Sequence, residues 1–257
     1  MAKAVNQHSL NKQIEEFIRE KDSKKESYSA DDITFIQQYE GSGGQGSKGA
    51  KGEGVLYEFF TPDYIVDLMW QLAYKHGFDK EGIVLEPSIA TGRIIAPAPD
   101  KSLVVGFEIN PISARICEIT YPEAQINRGY FETAFLSPPR YTSKIKDERL
   151  TWLSGYPFSL VIGNPPYGKH KNKYSSYFTK PKMQQIELFF MYYGLKLLKP
   201  GGLLIFVTSS NFLRNGISYN SEKESIGQLA DLVDAYRLPP VFRFSEVPTD
   251  IIVLKRK

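Results

Sequence analysis

Apolar residues recur at helical spacing near the start of the chain, at Leu10, Ile14, Phe17 and Ile18, and predict a first helix. A polar run over 19–27 follows it. A second helix is expected to begin at Ser29, capped reciprocally by Asp32, with Tyr28 placed to staple onto Ile33, and to end near Tyr39. Half of the residues in 41–54 are glycine. That stretch reads as a flexible connector, or as a loop that folds over a ligand. Residues 1–40 are thus a helical appendage, 41–54 a connector, and 55–257 the main domain.

From residue 55 the pattern alternates. Thr61 is placed to cap a helix with Pro62 at its first position, carrying Ile65, Leu68, Met69 and Leu72. Short apolar strands are expected at 83–85, 103–109 and 158–162, with a weaker one at 124–127. Helices are expected at 111–121 and 183–198, the latter ending at Lys199-Pro200-Gly201-Gly202. A strand at 203–208, a polar helix at 222–232 and two strands at 233–238 and 251–255 complete the pattern; the last two can pair as a hairpin. Alternation of this kind predicts an α/β fold with a mostly parallel sheet covered on both faces. Ligands of such sheets bind beyond the carboxyl ends of the strands. The unusual short motifs of this chain all fall there.

Composition narrows the class. With 42% apolar residues and no apolar stretch of the ~18 residues a spanning helix needs, a membrane protein is not expected. The N-terminus lacks the apolar run of a secretory signal. One cysteine, Cys117, allows no internal disulfide and suits a cytoplasmic location. The three histidines lie far apart and no Cys/His cluster has zinc spacing, so no structural metal is expected. A net charge of +3 says little, but its distribution says more. Residues 164–186 contain no acid and carry Lys169, Lys171, Lys173, Lys180 and Lys182, interleaved with Tyr167, Tyr174, Tyr177 and Phe178. Such a loop suits a phosphate backbone and exposed bases; on charge alone a solvated lysine loop fits equally.

Three motifs carry chemistry. The first is Leu85-Glu86-Pro87-Ser88-Ile89-Ala90-Thr91-Gly92, a turn of small residues after the first strand. It lets backbone approach a ligand, and Glu86 suits a cationic one; it serves equally as a plain turn. The second is Glu108, before Ile109 and Asn110 at the tip of the next strand. An acid there can accept both hydroxyls of a ribose, the alternative being a solvated strand end or a cap partner. The third is Asn164-Pro165-Pro166-Tyr167 after the 158–162 strand. The Asn164 amide oxygen and the Pro165 carbonyl can accept the two N–H bonds of an exocyclic amine, and Tyr167 can stack on its ring. A rigid proline turn is the structural alternative.

The order of Phe59-Phe60-Thr61-Pro62, Leu85-Glu86-Pro87-Ser88, Gly106-Phe107-Glu108-Ile109-Asn110-Pro111, Gly163-Asn164-Pro165-Pro166-Tyr167-Gly168 and Leu198-Lys199-Pro200-Gly201-Gly202 resembles the gamma-class N6-adenine DNA methyltransferases over 55–257. The resemblance implies a class I, Rossmann-like methyltransferase fold with a seven-stranded sheet, S-adenosylmethionine as cofactor, and DNA as partner, in a restriction-modification setting. It implies that Thr61 touches the methionine part of the cofactor, together with Glu86, Pro87, Ser88, Ala90 and Gly92. Glu108 and Ile109 go with its ribose, and Phe131 packs on its adenine. Tyr130 stands where the family often has Asp, and Ala90 where many members have Gly. Asn164, Pro165, Pro166 and Tyr167 are the implied catalytic residues; Tyr167, Lys169, Lys171, Lys173 and Phe244 (or Phe242) are implied to face the target. The string Val247-Pro248-Thr249-Asp250-Ile251-Ile252-Val253 resembles the last catalytic-domain motif.

The implied reaction is direct transfer to a flipped adenine, whose extrusion costs roughly a few kcal/mol. Family members usually continue into a target-recognition domain. None is expected in this chain, so a longer protein or a separate subunit would supply recognition, or little sequence is read. An RNA or protein-glutamine methyltransferase, or a catalytically silent DNA-binding subunit, remain the alternatives.

Overall fold

In the computed structural model the described residues are 6–40, 60–136, 155, 157–214, 219–240 and 248–257. The first helix, α1 (Gln7–Lys24), runs on into the polar 19–27 segment. It does so because its outer face is held by pairs one turn apart, Glu15 with Arg19 and Glu20 with Lys24, and needs no burial. Only Ile14 and Ile18 are buried, and Lys25, at φ 56°, closes the helix. α2 (Ala30–Ile36) has both halves of its capping box: the Asp32 N–H donates to Ser29 Oγ at 3.2 Å and the Ser29 N–H to Asp32 Oδ2 at 2.8 Å. Both helices share a core with α4 (Pro111–Thr120), in which Ile14, Ile18, Ile36 and Tyr39 pack with Ile116 and Ile119. Arg115 of α4 adds an ion pair with Asp22, at 2.6 Å.

α3 (Asp63–Lys75) starts one residue later than its proline suggests: Pro62 is the N-cap, and Thr61 makes no capping bond. A threonine hydroxyl is thereby left over beside the turn after the first strand. The last helices are α5 (Ile186–Leu197) and α6 (Asn220–Leu229).

The strands are β1 (Ile83–Glu86), β2 (Val104–Glu108), β3 (Gln125–Arg128), β4 (Phe158–Gly163), β5 (Leu198–Ser209), β6 (Ala230–Arg237) and β7 (Thr249–Arg256). They form one seven-stranded sheet in the order β3-β2-β1-β4-β5-β7-β6. The first five are parallel; β7 runs antiparallel between β5 and β6. β5 begins five residues before the expected 203 because Leu198 already pairs with Phe158, across a register shift between Phe158 and Leu160. One sheet face packs against α5 and α6 through residues such as Leu85, Val161, Phe206 and Phe189. The other packs against α3 through Val84, Leu160, Ile205, Met69 and Trp70. The chain moves outward from β1 to β3, then returns to lay β4 on the other side of β1. That reversal opens a crevice between the carboxyl ends of β1 and β4. No described helix is long and apolar enough to cross a membrane.

Candidate active site

Glu86 ends β1 at 0% exposure. Its Oε1 accepts from the Ser88 N–H at 3.2 Å and from Ser88 Oγ at 3.4 Å. Its Oε2 is buried without a hydrogen-bond partner, as is the Thr61 hydroxyl. Burial pushes the Glu86 carboxyl well above the usual carboxylate range; the Ser88 bonds pull the other way, and nearby Glu108 adds to the rise. Gly163, the last residue of β4, leaves the room that carboxyl needs: a Cβ there would sit 2.5 Å from Glu86 Oε1.

The turn after β1 doubles back through Ala90 at φ 48° and Gly92 at φ 87°. The left-handed conformation costs a residue with a Cβ roughly 1–2 kcal/mol. Here the Ala90 N–H donates to Glu108 Oε2 at 2.9 Å, holding the conformation. The other oxygen of Glu108 accepts from the Asn110 N–H at 2.6 Å. Glu108 therefore stitches together the turns after β1 and β2. Ile109 beside it is half-buried.

Asn164 emerges from β4 into the crevice, half-buried. Its backbone carbonyl accepts from Ser88 Oγ at 3.3 Å, joining the two strand ends. Its side-chain oxygen accepts from the Tyr167 hydroxyl at 2.7 Å, and that hydroxyl also lies 3.3 Å from the Val207 carbonyl. Tyr167 thus has an anchor as well as a flat face. Burial, with Glu187 nearby, keeps its hydroxyl well above the usual tyrosine range and so protonated as a donor. Glu187, in the first turn of α5, accepts from Ser209 Oγ at 2.5 Å and is raised by its burial. Sequence reasoning missed Glu187 and Ser209. The available signal was a single acid in an otherwise apolar helix.

Phe60, Thr61, Ser88, Ala90, Arg93 and Asn164 line one cleft that is open to solvent. Arg93 lies 5.1 Å above the Phe60 ring. Glu86 and Gly163 sit at the ends of β1 and β4 beside this cleft, Pro87 is buried behind it, and Pro165 and Pro166 stiffen the chain leaving it. A ligand that is cationic at one end, with donors at the other, suits this set. Two orphaned buried oxygens, of Glu86 and Thr61, await partners, and the Glu108 carboxylate stands at the end of the next strand. These features fit S-adenosylmethionine.

Other expected residues lie elsewhere. Phe131, 1% exposed, is enclosed by Phe107, Phe135, Phe189 and Phe190 at centroid distances of 5.5, 5.3, 6.4 and 5.1 Å. Its ring is a core ring as it stands, because the aromatic face of α5 covers it, so the expected packing on a cofactor adenine needs that face to open. In the loop after Tyr167, Lys169, Lys171, Lys173, Lys180 and Lys182 are exposed. Of its aromatics only Tyr177 faces outward; Tyr174 and Phe178 are buried in the core and are not free to meet bases. Phe242 and Phe244 lie outside the described residues.

Comparison with known proteins follows the same lines. A modification subunit assigned to a type I restriction enzyme of Vibrio vulnificus YJ016 superposes with a TM-score of 0.62 at 17% identity, covering 97% of this chain and 49% of that one. The methyltransferase subunit of a type I restriction-modification system from Streptococcus thermophilus gives 0.57 at 20% identity, over 77% and 45%. A class I S-adenosylmethionine-dependent methyltransferase assigned in Listeria monocytogenes gives 0.58 at 15% identity, over 77% and 60%. At these identities the likeness is one of fold. Defense against restriction protein B of Escherichia phage P1 is 27% identical over 207 residues, which are 80% of this chain and 8% of that protein. The chain thus spans a small part of that relative and about half of the solved ones. Residues 104–237, more than half of the chain and running from β2 to β6, match the model of the Eco57I restriction-modification methylases. The chain belongs to the Eco57I restriction-modification methylase family, whose cofactor is S-adenosylmethionine.

Proposed function

We propose that this chain transfers a methyl group from S-adenosylmethionine to the N6 amine of adenine in DNA, with residues 55–257 as the catalytic unit, 1–40 as an appendage and 41–54 as a connector. The observation that carries the reading is the meeting of Asn164 with Ser88 at the two strand ends, in the same cleft as Thr61 and Ala90. S-adenosylmethionine, when bound, supplies an electrophilic methyl group. Glu86 and Thr61 would hold its cationic methionine end and Glu108 its ribose. Asn164 Oδ1, held by the Tyr167 hydroxyl, would accept one amine N–H, and the Pro165 carbonyl the other. Two acceptors on one exocyclic amine draw its lone pair out of conjugation. The amine proton is lost after transfer, so positioning carries most of the rate. Exposed Lys169, Lys171 and Lys173 supply contacts to the DNA backbone.

Parallel assays of tritiated methyl transfer to DNA, RNA and protein, followed by nucleoside analysis, test this. N6-methyladenine from DNA is the expected product; label only in RNA or protein overturns the substrate, and none in any overturns the activity.

The hydroxyl of Tyr167 should matter apart from its ring. Tyr167→Phe keeps the ring and removes the bond to the Asn164 amide, and is expected to lower kcat about tenfold with a smaller change in KM. Equal kcat in steady-state assays would assign Tyr167 to stacking alone.

Cofactor binding should depend on pH through Glu86. Its folded carboxyl holds a proton above the ordinary value of 4.5. Stability of the bare protein therefore falls as pH rises from there, since the unfolded chain ionises first. A cation beside Oε2 favours the ionised form, so binding releases a proton and affinity rises with pH across this window. Calorimetry in buffers of different ionisation enthalpy reads that proton directly. Glu86→Gln should remove both the release and the pH dependence; a release that persists in this variant places the proton elsewhere.

A further inference from the structure

Beneath the exposed lysines of the loop after β4 lies a buried polar cluster that the reaction does not use. The His170 and Glu132 side chains are 2% and 1% exposed, and His170 Nε2 is 2.9 Å from Glu132 Oε1. Asn172 Nδ2 donates to the same oxygen, and Asn172 Oδ1 accepts from the Tyr174 N–H at 2.9 Å. The imidazole lies on Phe189 with centroids 4.2 Å apart, and the His170 N–H donates to the Gln184 carbonyl at 2.8 Å. Next to Glu132, Tyr130 meets the Tyr174 ring edge-on at 5.3 Å, while Lys173 Nζ stands 4.9 Å from the first ring and 5.1 Å from the second. Tyr130 thus faces the loop.

Glu132 comes from the short helical turn Phe131–Phe135 after β3, and His170 from the loop after β4. Their separation of 38 residues is bridged by a carboxylate shared between two donors. A buried carboxylate is stable only while its donors stay in place, so the cluster has one arrangement rather than many.

We propose that Glu132, His170 and Asn172 are positioning residues that clamp this loop, so that Lys169, Lys171 and Lys173 meet the phosphodiester backbone of DNA as a preformed surface. This rests on the DNA reading above. A surface already ordered loses less conformational freedom on binding, and its lysines keep the spacing that successive phosphates require. The clamp acts through the lysines and makes no contact with the reacting atoms.

Three variants of the full chain test it. His170→Phe keeps a ring on Phe189 and removes the donor; His170→Gln removes the ring and returns an amide donor near the Nε2 position; Asn172→Ala removes the second donor alone. Two readouts are taken: trypsin cleavage at Lys169, Lys171 and Lys173, and affinity for a short adenine-containing DNA duplex by fluorescence anisotropy, with cofactor affinity by calorimetry as the control. His170→Phe is expected to speed cleavage and weaken DNA binding about tenfold or more, with cofactor affinity within about threefold. His170→Gln is expected to recover most of both losses, and Asn172→Ala to fall between. Cleavage and DNA affinity equal to the unaltered protein in His170→Phe overturn the clamp, as does a His170→Gln variant no better than His170→Phe, which would assign the site to ring packing. Should His170→Phe fail to fold, unchanged cleavage in Asn172→Ala overturns it equally. If the unaltered protein binds no DNA, the functional reading fails, while the cleavage contrast still decides whether the clamp exists.

Discussion

Asn164→Ala is expected to lower methyl transfer about a thousandfold, the scale for losing a preorganised polar group aimed at the reacting centre, while S-adenosylmethionine binds within about threefold of normal. The two effects separate because Asn164 contributes to the cleft in two ways. Its backbone carbonyl holds Ser88 Oγ, and that bond survives truncation of the side chain. Its side-chain oxygen is the proposed acceptor for the target amine, and that is lost. Tyr167 loses one acceptor too, but keeps the Val207 carbonyl at 3.3 Å, so the ring stays near its place. Pro165 and Pro166 continue to hold the chain path out of β4. Single-turnover transfer with saturating DNA measures the first quantity and calorimetry the second. Ordinary transfer by this variant would remove Asn164 from the chemistry; a parallel collapse of cofactor affinity would make it a cofactor ligand instead.

Gly163→Ala is expected to be the most damaging single methyl group near the site. Its Cβ would fall 2.5 Å from Glu86 Oε1 and 3.1 Å from Glu86 Cδ and Oε2. A carboxyl on a longer, exposed side chain would step aside. Glu86 is 0% exposed and is tied to Ser88 through its backbone and side chain, so moving it breaks both bonds inside the fold. Overpacking of this kind costs about 1–3 kcal/mol of stability, and the displaced carboxyl no longer meets a cation. Thermal unfolding should show the loss of stability, and cofactor affinity should fall at least about tenfold. A second change discriminates the cause. Adding Glu86→Ala to Gly163→Ala removes the colliding carboxyl and should restore much of the stability but none of the affinity. If the two substitutions simply add, the contact between these residues is not the source of the effect.

The reading of the chain as alternating helices and strands matched the structure closely because the signals were local. β1, β2 and β4 are short apolar runs bounded by turns, and their limits follow from their own residues. Ser29 and Asp32 announced α2 by their spacing alone. Errors came where a boundary depends on something other than the apolar pattern. α1 outlasts its apolar stripe because ion pairs on its own surface support the extra turn. β5 starts early because β4 offers Leu198 a partner.

The site divides in the same way. The amino-acid sequence by itself placed Glu86, Ser88, Glu108 and Asn164 at strand ends and Thr61 at a helix start, since strand polarity in an alternating chain puts the strand-end motifs on one edge of the sheet. It also gave the run of lysines after Tyr167. Only the tertiary structure decided which neighbouring aromatics face solvent. Phe131, Tyr174 and Phe178 carry no mark distinguishing a base-stacking ring from a core ring, and the packing of α5 against the sheet is what buries them. It also decided that Tyr167 bonds to Asn164, that Glu187 meets Ser209, and that Glu132 meets His170. Side-chain partnerships across many residues depend on how layers pack, and one-dimensional spacing holds no record of that packing.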